Sequence, residues 1–501
     1  MDRFAPLPTV IPLVAAALAM LAVGHRLLQR TIALTALVGS LALSVTLLVH
    51  ADRDGPAVAR LGGWSASFGI SYVVDRLAAI MLVIAFVTLL AVLVYAIGQS
   101  SATAASPVFH PVYLVMSAGI GAAFSTGDLF HLFVAFEILL MSSYVLLTLD
   151  ASEQQVRTGT TYVVVNTIES VVLVAAIGLT YAATGTLSMA ELPARLAELD
   201  GGLRTALQLM LLVAFGLKAA VFPLFFWLPD SYPAARSPIT AVFAGLLTKI
   251  GVYAILRTQT LLFANANSRL LLWVGILTML TGVIGAIAQN EIKRILSFHI
   301  VSQVGYMITA IAIGGPVAIA ATIFFVLYHV PTKSSLFLVE GMVERVTGTS
   351  QLDRLSGLVH RSGLLGALFL VSALSLAGVP PLSGFGAKLG IVRAGLDAEE
   401  YVAVAAALVT SLLTLVSMSK IWVGAFWGPT AAVAAPRPAG AATNERAWRW
   451  PAPMVAATIA MVAVGLALAV FAGPAYALCE RAAAELGDVD GYVRVVLGGS
   501  G

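Results

Sequence analysis

Six ionisable residues stand inside long apolar runs, where ionisable side chains are most costly. Glu137 lies in HLFVAFEILLMSSYVLL and Lys218 in LLVAFGLKAAVFPLFFWLP. Lys249 lies in ITAVFAGLLTKIGVYAIL, His329 and Lys333 in ATIFFVLYHVPTKSSLFLVEG, and Lys388 in LSLAGVPPLSGFGAKLGIV. A charge at the centre of a hydrocarbon layer costs about 3 kcal/mol even on lenient insertion scales. Such groups face a protein interior or a water-filled path, and the chemistry open to them is proton transfer. Burial and a neighbouring carboxylate pull the proton affinity of an amine in opposite directions. Imidazole titrates near neutrality. His329 and Lys333 are four residues apart and share a helix face.

Each group also has a plainer reading. Glu137 would lock two helices together. Lys218 and, nearer the end of its run, Lys249 would snorkel to the interface. His329 would be a satisfied packing residue. Two chain breaks favour the chemical reading. Pro223 follows Lys218 by five residues, and Gly378, Pro380, Pro381, Gly384 and Gly386 precede Lys388. Neither stretch sustains a regular helix, yet both are flanked by apolar residues. Broken helices at membrane depth line cavities, and a pair of them in the two halves of a chain points to a transporter built from repeats. Asp75 and Arg76 read as anchors of the third span, and Asp128 as a helix cap. Glu169 is inside the sixth span. Glu291 and Arg294 are spaced to pair, Glu340 and Glu344 share a face close to a solvent-exposed helix end, and Lys420 reads as a snorkelling residue.

The elements that must position these groups follow from composition. The 501 residues are 59 % hydrophobic and 11 % charged, with a mean hydropathy of +0.96. Soluble domains carry about 25 % charged residues, so an integral membrane protein is expected. The net charge of +3 gives no basic nucleic-acid-binding face, and the single Cys479 excludes an internal disulfide framework and a thiolate metal cluster. Apolar runs of about 20 residues give about fourteen candidate spans. They lie near 7–23, 32–49, 73–97, 111–126, 129–149, 160–184 and 205–228, then 237–257, 270–289, 297–314, 316–340, 363–393, 402–427 and 451–474. The runs are solidly Ala/Leu/Val-rich, which selects helices over a barrel. The first run is read as a span and not as a cleaved leader. Residues 186–204 predict a short interfacial helix or loop, and Pro429 to Trp450 a flexible connection. Basic residues such as Arg345, Arg354, Arg361, Arg437, Arg446 and Arg449 on one side, against Arg257 and Arg269 among those on the other, give a slight excess that places both termini outside.

Four stretches carry a family resemblance. They are KAAVFPLFFWLPDSYPAARSPITAVFAGLLTKIGVYAILR from Lys218, AQNEIKRILSFHIVSQVGYM from Ala288, HVPTKSSLFLVEG from His329 and AGVPPLSGFGAKLG from Ala377. The sequence resembles the D subunits of Mrp-type multisubunit cation/proton antiporters, within a wider group that includes the proton-pumping membrane subunits of respiratory complex I. The resemblance spans nearly the whole chain and is weakest in the first two and last two spans. It implies an all-α polytopic fold of about fourteen helices, with helices four to eight and nine to thirteen as inverted repeats and helices seven and twelve discontinuous. The corresponding divisions are 1–110, 111–260, 261–428 and 429–501. It further implies that Glu137 is the fifth-helix carboxylate paired with Lys218, that Lys249 follows on the eighth helix, that His329 and Lys333 continue the path, and that Lys388 is the terminal carrier.

The expected function is therefore proton translocation along a Glu/Lys/His relay, coupled to sodium efflux by a multisubunit antiporter in a bacterial cell membrane. Expected partners are A-, C- and small membrane subunits, the lipid bilayer, protons directly and sodium through the complex. No cofactor, resident metal or nucleic acid is expected, and no enzymatic activity. The alternative is an N- or M-like subunit of respiratory NADH:quinone oxidoreductase. Lys388 counts against the M type, which resembles this family with a glutamate there. The chain shows no dinucleotide fingerprint or iron–sulfur ligand pattern. A mere scaffold predicts that Lys218→Ala leaves transport intact once the complex assembles, and a simple channel lacks the expected symmetric ring of charges.

Overall fold

The computed structural model describes residues 1–64, 69–99, 106–428 and 450–498. Arg437, Arg446, Arg449 and the expected connection from Pro429 lie outside the described residues, Trp450 excepted. Among the described residues the fold is almost wholly helical, and twelve helices are long and apolar enough to cross a membrane. Two shorter apolar helices, Phe109–Ser125 and Gly363–Ala377, occupy the fourth and twelfth places of the expected series.

The first six of these helices are α1 (Leu7–Leu21), α2 (Arg26–Arg53), α3 (Arg76–Gln99), α4 (Phe109–Ser125), α5 (Leu129–Leu147) and α6 (Glu153–Thr184). After a short helix, Leu192–Ala197, in the expected interfacial stretch come α7 (Gly201–Ala219) and α8 (Ser237–Leu261). Then follow α9 (Ser268–Ala288), α10 (Ile292–Ile313), α11 (Gly315–Thr347), α12 (Gly363–Ala377), α13 (Ser383–Asp397) and α14 (Tyr401–Phe426). The chain closes with α15 (Ala452–Val470), α16 (Ala472–Gly487) and α17 (Val489–Gly498). The Gly314–Gly315–Pro316 stretch separates α10 from α11 as its composition predicts.

Among the described residues the fold departs from a helical reading in one pair of strands. Strands β1 (Ala57–Arg60) and β2 (Ser71–Val74) form an antiparallel hairpin, with Ala57 opposite Val74. Their short alternation is hard to see beside the longer apolar runs. The hairpin ties both chain ends to one side of the bundle, its terminal face. The Val58 amide donates to Asp2 Oδ1 at 3.0 Å, and Arg60 Nη2 donates to the carbonyls of Val496 and Leu497 at 2.7 and 3.1 Å.

Helix α11 is the axis of the second half. Its 33 residues extend about 50 Å at 1.5 Å per residue. It packs on α3, α8, α10, α12, α13, α15 and α16. Being surrounded, it is apolar all round except for the residues that face other buried groups, which is the pattern of a core helix. Lipid-side residues such as Leu27, Met141, Val164 and Leu412 remain exposed on peripheral helices.

Candidate functional site

Lys218 sits one residue from the end of α7. The helix stops because Ala220 takes a left-handed conformation, φ 57°, and Pro223 follows, which has no amide hydrogen to continue the ladder. The loose end is satisfied locally, as buried backbone must be. Trp227 Nε1 donates to the Leu217 carbonyl at 3.2 Å, and the Phe222 amide donates to Thr278 Oγ1 at 2.9 Å. The break therefore holds the Lys218 side chain firmly in the interior rather than letting it reach an interface.

Its partner corrects the expected pairing. Lys218 Nζ donates to Glu169 Oε2 at 3.2 Å and to Asn166 Oδ1 at 3.4 Å, and lies 5.2 Å from the centre of the Phe136 ring. The Lys218 and Glu169 side chains are only 3 % and 2 % exposed. Glu137 instead accepts a hydrogen bond from Ser170 and is half-buried at the outer side of α5. Its charge still acts on both members of the pair. The cause is helical register. Asn166 and Glu169 are three apart on α6 and converge on one ammonium. Glu169 Oε1 has no hydrogen-bond partner among the described residues, so an acceptor remains free inside the cluster.

Lys249 is fully buried and does not snorkel. It follows a single wide π-turn, Phe243–Leu247, and its ammonium folds back onto the Ala244 carbonyl at 2.7 Å and Thr248 Oγ1 at 3.1 Å. Such turns recur at functional sites because they reorient carbonyls within a helix. Two residues on, Gly251 lets α8 touch the end of α7. A Cβ there would lie 2.5 Å from the Ala219 amide nitrogen. The Lys218 and Lys249 helices thus abut beside both amines.

His329 and Lys333 are also fully buried, on an α11 that runs unbroken through Pro331. Lys333 Nζ donates to the Leu296 carbonyl at 3.0 Å. Neither ring nitrogen of His329 has a partner among the described residues, and its ring stacks on Phe325 at 6.1 Å. Lys388 is held by the end of α12, where Gly378 turns with φ 86°. Its ammonium donates to the carbonyls of Leu376 and Ala377 at 3.0 and 2.9 Å and to Ser411 Oγ at 3.2 Å, below the Tyr306 ring at 5.1 Å. Unwound carbonyls at a half-helix end suit a cation.

His299 on α10 is a further buried group, one that sequence reasoning does not single out. It is fully enclosed, with Nε2 2.9 Å from Ser417 Oγ and Nδ1 without a partner among the described residues. It lies within electrostatic reach of both Lys333 and Lys388, and His329 within reach of Lys249 and Lys333. Its signal is present in the stretch RILSFHIVSQVGY, where a lone histidine sits in an apolar run. The groups therefore form two sets. Glu137, Glu169 and Lys218 make one, and Lys249, His329, Lys333, His299 and Lys388 the other, with the Ala219–Gly251 contact between them.

Several secondary expectations change. Glu340 is buried, 1 % exposed, and accepts hydrogen bonds from Ser237 at 3.0 Å and from Ser350. Only Glu344 reaches solvent, bonded by Lys293 at 2.8 Å. Arg294 pairs with Asp230 at 2.9 Å rather than with Glu291. Lys420 turns inward to the carbonyls of Ile287 and Gln289 at 2.9 and 2.6 Å, capping α9. Arg257 is buried against Asp75 and is not a loop residue. Asp128 caps α5 as expected, accepting from the His131 amide at 2.8 Å. No group of three or more acidic, His or Cys side chains suited to a metal ion occurs among the described residues.

The family described as NADH:quinone oxidoreductase/Mrp antiporter, transmembrane, matches residues 126–414, which hold nearly all of these groups. The chain belongs to this family. It is 41 % identical over 433 residues to the D subunit of a Na(+)/H(+) antiporter from Alkalihalophilus pseudofirmus, covering 85 % of this chain and 88 % of the relative. The D subunit of a Na(+)/H(+) antiporter from Bacillus subtilis is 36 % identical over 432 residues, with the same two shares. Among solved structures, a chain of the Mrp complex from Dietzia sp. DQ12-45-1b superposes with a TM-score of 0.92 at 33 % identity, covering 99 % of this chain and 100 % of that one. A chain of respiratory complex I from Thermus thermophilus shares the fold, with a TM-score of 0.79 at 23 % identity over 96 % of this chain and 99 % of that one.

Proposed function

We propose that this chain is the proton-carrying membrane subunit of a multisubunit sodium/proton antiporter. It is a transporter subunit and not itself an enzyme. The observation that carries this reading is the state of Lys249, Lys333 and Lys388. All three amines are buried among neutral oxygen acceptors, with no carboxylate bonded to any of them among the described residues. An amine so placed can exist with or without its extra proton, because neither form leaves a buried counter-charge stranded.

In the proposed sequence a proton is exchanged at the Glu169–Lys218 pair, with Glu137 as a second carboxylate, and passes by way of Lys249, His329 and Lys333 to Lys388. His299 bridges the last two amines. Each arrival of charge weakens the hold of the next amine on its own proton, so a proton moves as a series of short transfers through transient water. The segments 1–110, 111–260, 261–428 and 429–501 are read as entry helices, two related halves with opposite orientation, and a closing segment. The names of the relatives and the Mrp complex neighbour support other antiporter subunits as partners, sodium as the counter-ion moved through the complex, and the bacterial plasma membrane as the site. Both termini are assigned to its outer side.

The test is sodium-driven proton movement in inverted vesicles from cells lacking their own antiporters, with the whole complex expressed. Lys218→Ala abolishes the signal at normal complex levels if the reading holds. Native transport from that assembled variant would reduce the chain to a scaffold.

A further inference from the structure

Lys249 has a second neighbour on its own helix. Tyr253 and Arg257 follow at four-residue intervals and so lie on the same face of α8. A small void of about 10 Å³, bordered by apolar atoms of Lys249, Tyr253, Leu77 and Met81 among others, lies beside the lysine stem. The next group toward the terminal face is the Tyr253 hydroxyl. It donates to the Phe124 carbonyl at 2.8 Å and accepts from Arg257 Nη2 at 3.1 Å. Arg257 in turn grips Asp75 with both arms of its guanidinium, at 2.5 and 2.9 Å, the two side chains being 4 % and 2 % exposed. On the far side, the Tyr492 ring of the tail helix α17 lies 5.8 Å from the guanidinium carbon. Tyr492 also lines a cavity of about 430 Å³ together with Arg76, Arg481, Glu485 and Asp488.

We propose that Asp75, Arg257, Tyr253 and Tyr492 form the terminal-face gate of the proton path, closed in this structure between Lys249 and the cavity. This rests on the relay reading above. A fully matched ion pair has little tendency to take up a proton, and the fixed positive charge of Arg257 opposes a second cation approaching Lys249 from outside. A simple helix tie needs neither a void on the relay side nor a ring from the tail helix on the other. When the pair parts, an N–H bond of the Lys249 ammonium breaks. Water then enters from the cavity and takes that proton as hydronium, leaving a neutral amine. Asp75 holds Arg257 in place and is a positioning residue, while the Tyr253 hydroxyl touches the route.

The experiment measures sodium-independent proton leak in proteoliposomes of the whole complex under an imposed pH gradient. Arg257→Gln and Tyr492→Ala each raise the leak several-fold, and adding Lys249→Met returns it to the native level. If both assembled variants leak no more than the native complex, Asp75–Arg257 is a structural tie and the gate is overturned. If the raised leak persists with Lys249→Met, the bundle has merely loosened, which also overturns it. Tyr492→Ala decides the matter should Arg257→Gln fail to assemble, because the tail ring lies outside the spanning helices. Lys249→Met alone tests the relay separately. Its native antiport would remove the relay reading itself, whereas lost antiport with an unchanged gate-variant leak removes only the gate.

Discussion

Glu169→Gln isolates the carboxylate that the structure, and not the sequence, places against Lys218. The substitution keeps the shape and hydrogen-bonding reach of the side chain and removes its charge. At the observed 3.2 Å separation, the attraction within the pair is about 5 kcal/mol with an effective dielectric of about 20. Both side chains are almost wholly shielded from solvent, so little of this is lost to screening by water or salt. Removing one partner of a buried pair costs about 3–5 kcal/mol. If that energy is drawn on during proton exchange, turnover falls by about two to nearly four orders of magnitude, at 1.36 kcal/mol per tenfold. The assay is sodium-driven dequenching of a pH-sensitive dye in inverted vesicles, with complex assembly followed on native gels. Native transport from assembled Glu169→Gln would refute the pairing. If Glu137→Gln were inactive in the same experiment, Glu137 would be restored as the working partner of Lys218.

Three further substitutions probe the rest of the path and its supports. His299→Gln retains an amide able to reach Ser417 but cannot carry a proton, so antiport drops about a hundredfold at normal assembly. A purely structural histidine would leave the glutamine variant close to native rates. Gly251→Val places a branched side chain against the Ala219 backbone, and overpacking of this kind costs about 1–3 kcal/mol. It lowers the thermal midpoint of the purified complex and displaces the end of α7 that carries Lys218, slowing transport as well. Glu340→Ala strips the acceptor from the Ser237 and Ser350 hydroxyls, and buried donors left alone cost about 1–3 kcal/mol. Its midpoint falls further than that of Glu340→Gln, whose amide still accepts one of the two bonds and can donate to the other hydroxyl.

The helical membrane fold is legible in the sequence because hydropathy and length act locally: a run of apolar residues with no backbone partner outside itself must be helical in lipid. The breaks at Pro223 and at Pro380–Pro381 are legible for the same reason, since proline and glycine act on their own turn. Lys218, Lys249, His329, Lys333 and Lys388 stand out as polar groups in apolar runs. What stays hidden is register between helices. The family resemblance makes Glu137 the partner of Lys218, yet the rotation of α6 aims Asn166 and Glu169 together at the amine. Glu340 looks solvent-facing from its place near a helix end, but α11 extends well beyond the hydrocarbon thickness and is covered there by α8 and α10. Arg257 falls among loop residues in a count of charges for the same kind of reason, its partner Asp75 being 182 residues away. The hairpin escapes notice because two four-residue strands carry too little pattern to register between spans.

Lys333→Met offers the most direct test of the claim that buried amines hand a proton through the membrane interior. Its ammonium bonds a backbone carbonyl and no acid, so the variant strands no opposite charge and the complex assembles normally. Sodium-driven proton flux, measured in proteoliposomes of that complex, falls to the level of empty liposomes if Lys333 is a station on the path. Flux at the native rate would contradict it.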